Sequence, residues 1–107
     1  MKVLHLTLKK EPFEVMITGE KSFEIREKSE WMECRLFNKD GSEKHYDVIK
    51  FTNGYGKNRP YFIVEYKGFD TVWCVQRVFS NGFRMDLNGE FWRIKLGQVL
   101  SGGNLKT

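Results

Sequence analysis

The chain has 107 residues, room for one domain and little else. Its 40% hydrophobic and 15% aromatic content excludes a disordered chain and supports a single packed core. The net charge of +4, with acidic residues mixed among the basic ones, excludes a polybasic tail. It favours polyanionic ligands such as nucleic acid or phosphate-bearing molecules, against the plainer reading of a solvated surface with spare lysines.

Cys34 and Cys74 form no CxxC pair and have no histidine at ligand spacing, so neither a metal site nor a cofactor is expected. The N-terminus lacks the apolar stretch of a signal peptide, and no run approaches the roughly 18 apolar residues of a membrane span. No membrane association is expected, and the cytoplasm is the default compartment.

Val3 to Leu8 alternates, with Leu4, Leu6 and Leu8 on one side, and predicts a first strand. Pro12 stands where a first helical turn tolerates it. Phe13, Met16 and Ile17 then recur at helical spacing, and Gly19 is a good terminator. In Ser22 to Arg26 the alternation returns, with Phe23 and Ile25 expected inward and Ser22, Glu24 and Arg26 on the opposite face. Glu27 to Glu33 reads as a charged loop, and Cys34 to Phe37 as a strand leading to a turn at Asn38–Gly41.

Tyr46 to Phe51 is a further strand, closed by Asn53-Gly54. The segment from Asn53 to Pro60 is a loop that carries Tyr55, Lys57 and Arg59. Tyr61–Tyr66, Val72–Phe79, Phe83–Leu87 and Phe91–Leu96 read as four strands joined at Lys67-Gly68, Asn81-Gly82 and Asn88-Gly89. Residues 1–100 are expected to form one domain, and 101–107 a flexible tail. Many short strands with tight turns and one early helix predict a mainly β (α+β) fold, a closed or nearly closed barrel with the helix against one side.

The chemistry concentrates in Gly19-Glu20-Lys21-Ser22-Phe23-Glu24-Ile25-Arg26. Residues two apart on a strand face are about 7 Å apart, so Glu24 is within reach of Ser22 and Arg26, and Lys21 can bend in from the turn. A carboxylate, two cations and a hydroxyl can grip a base edge together with a phosphate. The bland alternative is an exposed cross-strand ion pair worth less than about 1 kcal/mol.

This motif, Gly-x-Lys-Ser-x-Glu-x-Arg after a helix opening Lys-x-x-Pro-Phe, resembles the signature of the ASCH domain of the PUA-like superfamily. Tyr46 to Tyr55 is similar to the strand and glycine-tyrosine loop of these domains, and Phe91 to Gly97 is compatible with their closing strand. The resemblance implies a small PUA-like β-barrel with one short N-terminal helix. It also implies a cleft for RNA, a nucleoside or a modified base, lined by Lys21, Glu24 and Arg26.

Some small ASCH proteins are amidohydrolases acting on an acylated cytidine, using the motif lysine with a threonine nucleophile and a distant glutamate. Lys21 matches that pattern. Glu24 stands in place of the threonine; a carboxylate can act as a base or hold a water, but it does not simply replace a hydroxyl nucleophile.

Tyr55, Lys57 and Arg59 interleave aromatic and basic side chains, which suits base stacking with phosphate contact. The ligand-binding set is therefore Lys21, Ser22, Glu24, Arg26, Tyr55, Lys57 and Arg59. Lys21 and Glu24 are the catalytic candidates if the protein is a hydrolase, with Glu65 and Asp86 as further carboxylates. Trp31, between Glu30 and Glu33, could mark a partner surface. The leading expectation is an RNA- or nucleotide-binding module. Its rivals are a hydrolase of modified nucleosides and a protein-interaction domain of a viral or mobile-element protein.

Overall fold

A computed structural model describes residues 1–105. It has seven elements: β1 (Val3–Leu8), α1 (Lys10–Ile17), β2 (Phe23–Glu27), α2 (Glu30–Leu36), β3 (Val48–Asn53), β4 (Tyr61–Val78) and β5 (Arg84–Gly103). The strands form one mixed sheet in the order β1-β3-β4-β5-β2, with β1 parallel to β3 and the other pairs antiparallel. The mainly β, α+β class expected from the sequence is present.

The closed barrel is not. The sheet is open, with β1 and β2 as its two edges. Side chains bridge these edges where a barrel would need a backbone ladder: Arg26 Nη2 on β2 donates to the carbonyl of Thr7 on β1 at 2.7 Å.

One face of the sheet buries Leu4, Leu6 and Leu8 of β1, Ile49 and Phe51 of β3, Phe62 and Val64 of β4, and Ile94 of β5. Phe13 and Met16 of α1 and Met32 and Leu36 of α2 cover it. Full burial of such side chains contributes about 1.5–3 kcal/mol each. A smaller cluster joins Val15 of α1 to Phe79 and Met85, with Phe23 and Ile25 packed against it. Phe23 and Ile25 thus do alternate with Glu24, but they face this satellite cluster. Glu24, opposite Ile94 in register, takes the face that carries the main core.

Helix α2 replaces the predicted loop and strand. Ser29 caps it, its Oγ accepting from Met32 N at 3.2 Å, and Glu30 and Glu33 lie in the first turn. The turn at Asn38–Gly41 is present, with Gly41 N donating to Asn38 O at 3.0 Å.

Four predicted strands collapse into two long ones. Only the turn at Asn81-Gly82 is a hairpin. Lys67-Gly68 and Asn88-Gly89 are bulges inside β4 and β5, each setting two residues opposite one, Lys95 and Cys74 respectively. Gly68 (φ 91°) and Gly89 (φ 103°) supply the left-handed backbone these bulges need. Beyond the second bulge the hairpin packs over β2 and α1, which is how Phe79 and Met85 meet Val15. The predicted tail is shorter than expected: Ser101, Gly102 and Gly103 pair with Ile63, Phe62 and Tyr61, while Lys106 and Thr107 lie outside the described residues.

Candidate functional site

The site begins where α1 ends. Gly19 N donates to Met16 O at 3.0 Å and Lys21 N to Val15 O at 3.0 Å, which folds the chain back beneath the helix. The Lys21 side chain is carried inside and is only 1% exposed. Its Nζ donates to Phe23 O at 2.7 Å and Glu24 Oε1 at 3.1 Å, and lies 3.6 Å from Met16 Sδ. Burial pulls the Lys21 pKa below its ordinary value, and the adjacent Glu24 carboxylate opposes that shift.

Glu24 is 5% exposed, and both its oxygens are engaged. Oε1 accepts from Lys21 Nζ and from Ile25 N at 3.2 Å; Oε2 accepts from Arg26 Nε at 2.9 Å and pairs with Nη2 at 2.8 Å. Of the about four lone-pair sites of a carboxylate, three accept hydrogen bonds, and the Arg26 Nη2 contact is an ion pair on Oε2. Arg26 is held by Nε and Nη2. Among the described residues its Nη1 has no partner, and 24% of the side chain is exposed.

These groups form the floor of an open cleft of about 690 Å³ between the two sheet edges. Thr7 and Leu8 of β1, Lys9 and Pro12 at the start of α1, and Asn53 to Tyr55 form one side, and Phe83 and Met85 from the hairpin the other. Tyr55, 86% exposed, stands at the rim, where its hydroxyl accepts from Thr7 Oγ1 at 3.3 Å.

The structure therefore brings together Lys21, Glu24, Arg26 and Tyr55. Ser22, Lys57 and Arg59 lie outside the cleft lining. Ser22 is exposed and its carbonyl extends the pairing with β5 by accepting from Leu96 N at 3.1 Å. Lys57 is exposed on its loop. Arg59 donates from Nε to Asn53 O at 2.8 Å and lies over Gly54, so it buttresses the loop that carries Tyr55. Glu65 and Asp86 do not line the cleft either; Glu65 accepts from Gln98 N at 2.8 Å and Asp86 from Gln76 at 3.3 Å. Trp31 is half exposed beneath the Arg35 guanidinium, 3.4 Å from its ring centroid.

Sequence reasoning missed Thr7, Lys9, Phe83 and Met85. Thr7 was legible only as the polar side of the first strand. Phe83 and Met85 reach the cleft through the bulge at Asn88-Gly89, a long-range effect without a local signal. A second hollow of about 750 Å³ lies between α2 and the turn after it, lined by Glu30, Glu33, Cys34 and Trp92. It has no buried cluster of charged groups comparable to the first, although Trp92 Nε1 is buried without a partner.

Comparison with protein-family models, with curated proteins and with solved structures finds no match to this chain.

Proposed function

We propose that the cleft between β1 and β2 binds a phosphate-bearing nucleotide-like ligand, RNA included, as the ASCH resemblance implies. One observation carries this reading: Arg26 is clamped through Nε and Nη2, and the clamp leaves Nη1 unpaired on a part-exposed side chain that lines the cleft. Lys21 and Arg26 set two positive charges against Glu24 on the floor, while Glu11 and Glu27 also line the cleft, so the attraction for an anion is local to Arg26. A preorganised guanidinium loses little freedom on meeting a phosphate oxygen, and such charge-assisted bonds are about twice as strong as neutral ones. Lys9 adds a third cation, opposed by the Glu11 and Glu27 carboxylates of the same lining.

The same contacts support binding over hydrolysis at Glu24. A general base needs a free lone pair directed at the proton it removes, and three hydrogen bonds and an ion-pair contact already engage both oxygens of this carboxylate. The role of Glu24 in this reading is to position Arg26.

The test is titration of a mixed-sequence single-stranded RNA against the wild type and Arg26→Lys at several salt concentrations. Each phosphate contact contributes about 0.7 to the log–log salt slope for single strands, so Arg26→Lys should weaken binding with little change in slope, and Arg26→Gln should lower the slope by about that amount. Absence of wild-type binding at low salt would refute the proposal.

A further inference from the structure

The tip of the β4–β5 hairpin packs back against α1 and contributes an aromatic wall to the cleft. Glu20, just after α1, accepts from Ser80 N at 2.8 Å and from Ser80 Oγ, and Asn81 Nδ2 donates to Glu11 O at 2.9 Å. Within the tip, Asn81 Oδ1 accepts from Phe83 N at 3.0 Å, and Phe79 N donates to Phe83 O at 2.8 Å. The backbone on both sides of Phe83 is fixed by these bonds. Its ring is fixed as well, stacked on Phe79 with centroids 5.8 Å apart and planes 19° apart. Phe79 is itself buried and lies 6.4 Å from Phe23. Phe79 thus contacts both Phe23 of β2 and Phe83, a half-buried side chain lining the cleft.

From this arrangement we infer that Phe83 is the base-stacking platform of the site, with Met85 beside it, so that the ligand is a nucleotide whose base lies at the hairpin tip and whose phosphate lies at Arg26. The inference rests on the reading of the cleft as a nucleotide site and adds to it an orientation and a requirement for a base. The chemistry fits. A ring held by a neighbouring ring and a fixed backbone offers a flat apolar surface at little entropic cost, and stacking accepts any base because every base has a π face. Glu24 is engaged by Lys21, Ile25 and Arg26, so the contact assigned to the base is the apolar face offered by Phe83.

The experiment titrates adenosine monophosphate and ribose phosphate separately into the wild type, Phe83→Leu and Phe83→Trp, following amide shifts by NMR, with thermal unfolding to confirm that each variant folds. Wild type should prefer adenosine monophosphate to ribose phosphate. Phe83→Leu retains apolar bulk but removes the π surface. It should weaken adenosine monophosphate by roughly 5- to 150-fold, the range for losing one base–aromatic stack, and leave ribose phosphate unchanged. Phe83→Trp should preserve the affinity and add quenching of indole fluorescence by adenosine monophosphate that the wild type lacks.

Equal loss of both ligands in Phe83→Leu, or loss of neither, would overturn the platform. If wild type binds the two ligands equally, the anion site stands and the platform falls. If wild type binds neither, both readings fall.

Discussion

Replacing Glu24 with glutamine should be the most damaging near-isosteric change in the molecule. The substitution keeps the shape of the side chain and removes its charge. Lys21, 1% exposed, then has no counter-ion among its partners, which are the Phe23 carbonyl, the Met16 thioether and at best a neutral amide oxygen. The new amide also turns one acceptor into a donor, facing either the ammonium or the guanidinium. Breaking a buried ion pair by removing one partner costs about 3–5 kcal/mol, a large share of the roughly 5–15 kcal/mol that stabilises a domain. At about 4 °C per kcal/mol for a domain of this size, the melting temperature should fall by about 12–20 °C.

Lys21→Met provides the control. Glu24 would keep Ile25 N and both contacts to Arg26, and the methionine would fill the same apolar space, so the expected cost is about 1–3 kcal/mol. In the double variant the buried ammonium is gone and only the part-exposed Arg26 loses its carboxylate, so the combined cost should fall short of the sum of the two single costs by about 0.5–3 kcal/mol. Urea unfolding followed by circular dichroism measures all three. A Glu24→Gln cost below about 1 kcal/mol, or a Lys21→Met cost exceeding it, would show that the buried pair is not the anchor described here.

Three further outcomes are expected. Burial lowers the Lys21 pKa below its ordinary 10.5, so in the interval between the two values the unfolded chain holds more protons and stability should rise with pH. Lys21→Met should lack that rise, which ends at 10.5; Tyr66, pushed up to about 12 by burial, contributes the opposite slope only above its ordinary 10, so the rise is read below that. Ser29→Ala removes the cap of α2 and should cost about 1 kcal/mol in denaturant unfolding. Cys74→Gly should stabilise by about 0.5–1 kcal/mol, because Cys74 is exposed and holds φ at 50°, and the strain relieved exceeds the added chain entropy; a loss of stability would mean the thiol makes a contact that matters.

The local patterns in the sequence identified β1, α1, the motif turn and β3, because each has a period and a terminator within a few residues. Helix α2 was hidden because Met32 and Leu36 supply a single apolar pair, too few to fix a period, and the capping role of Ser29 is visible only once the helix is known. The Asn-Gly and Lys-Gly pairs misled for a different reason. Gly68 and Gly89 supply positive φ as a turn would, and a bulge asks the same of the backbone; what distinguishes the two is whether the partner strand continues, which is not a local property. Within the site, the convergence of Lys21, Glu24 and Arg26 was legible from spacing, while their burial was not. A strand face carrying two charges reads as solvated until the opposite face is found to be covered as well.

That double coverage explains why an ionic cluster occupies the seam where an apolar plug might have been expected. The carbonyls of Thr7 and Phe23 lie on the two edge strands, and each accepts from a cation: Thr7 from Arg26, Phe23 from Lys21. Both cations are held by the same carboxylate. Apolar residues in their place would deprive two carbonyls of their partners, at about 1–3 kcal/mol for each one left buried and unsatisfied. The cluster therefore completes the hydrogen bonding of an open sheet, and because it does so with side chains it leaves a gap between the strands that a ladder would have closed. The stability of this seam and the opening of the cleft thus have one origin, and Arg26 Nη1 is the one group of the cluster where no contact of the fold is spent.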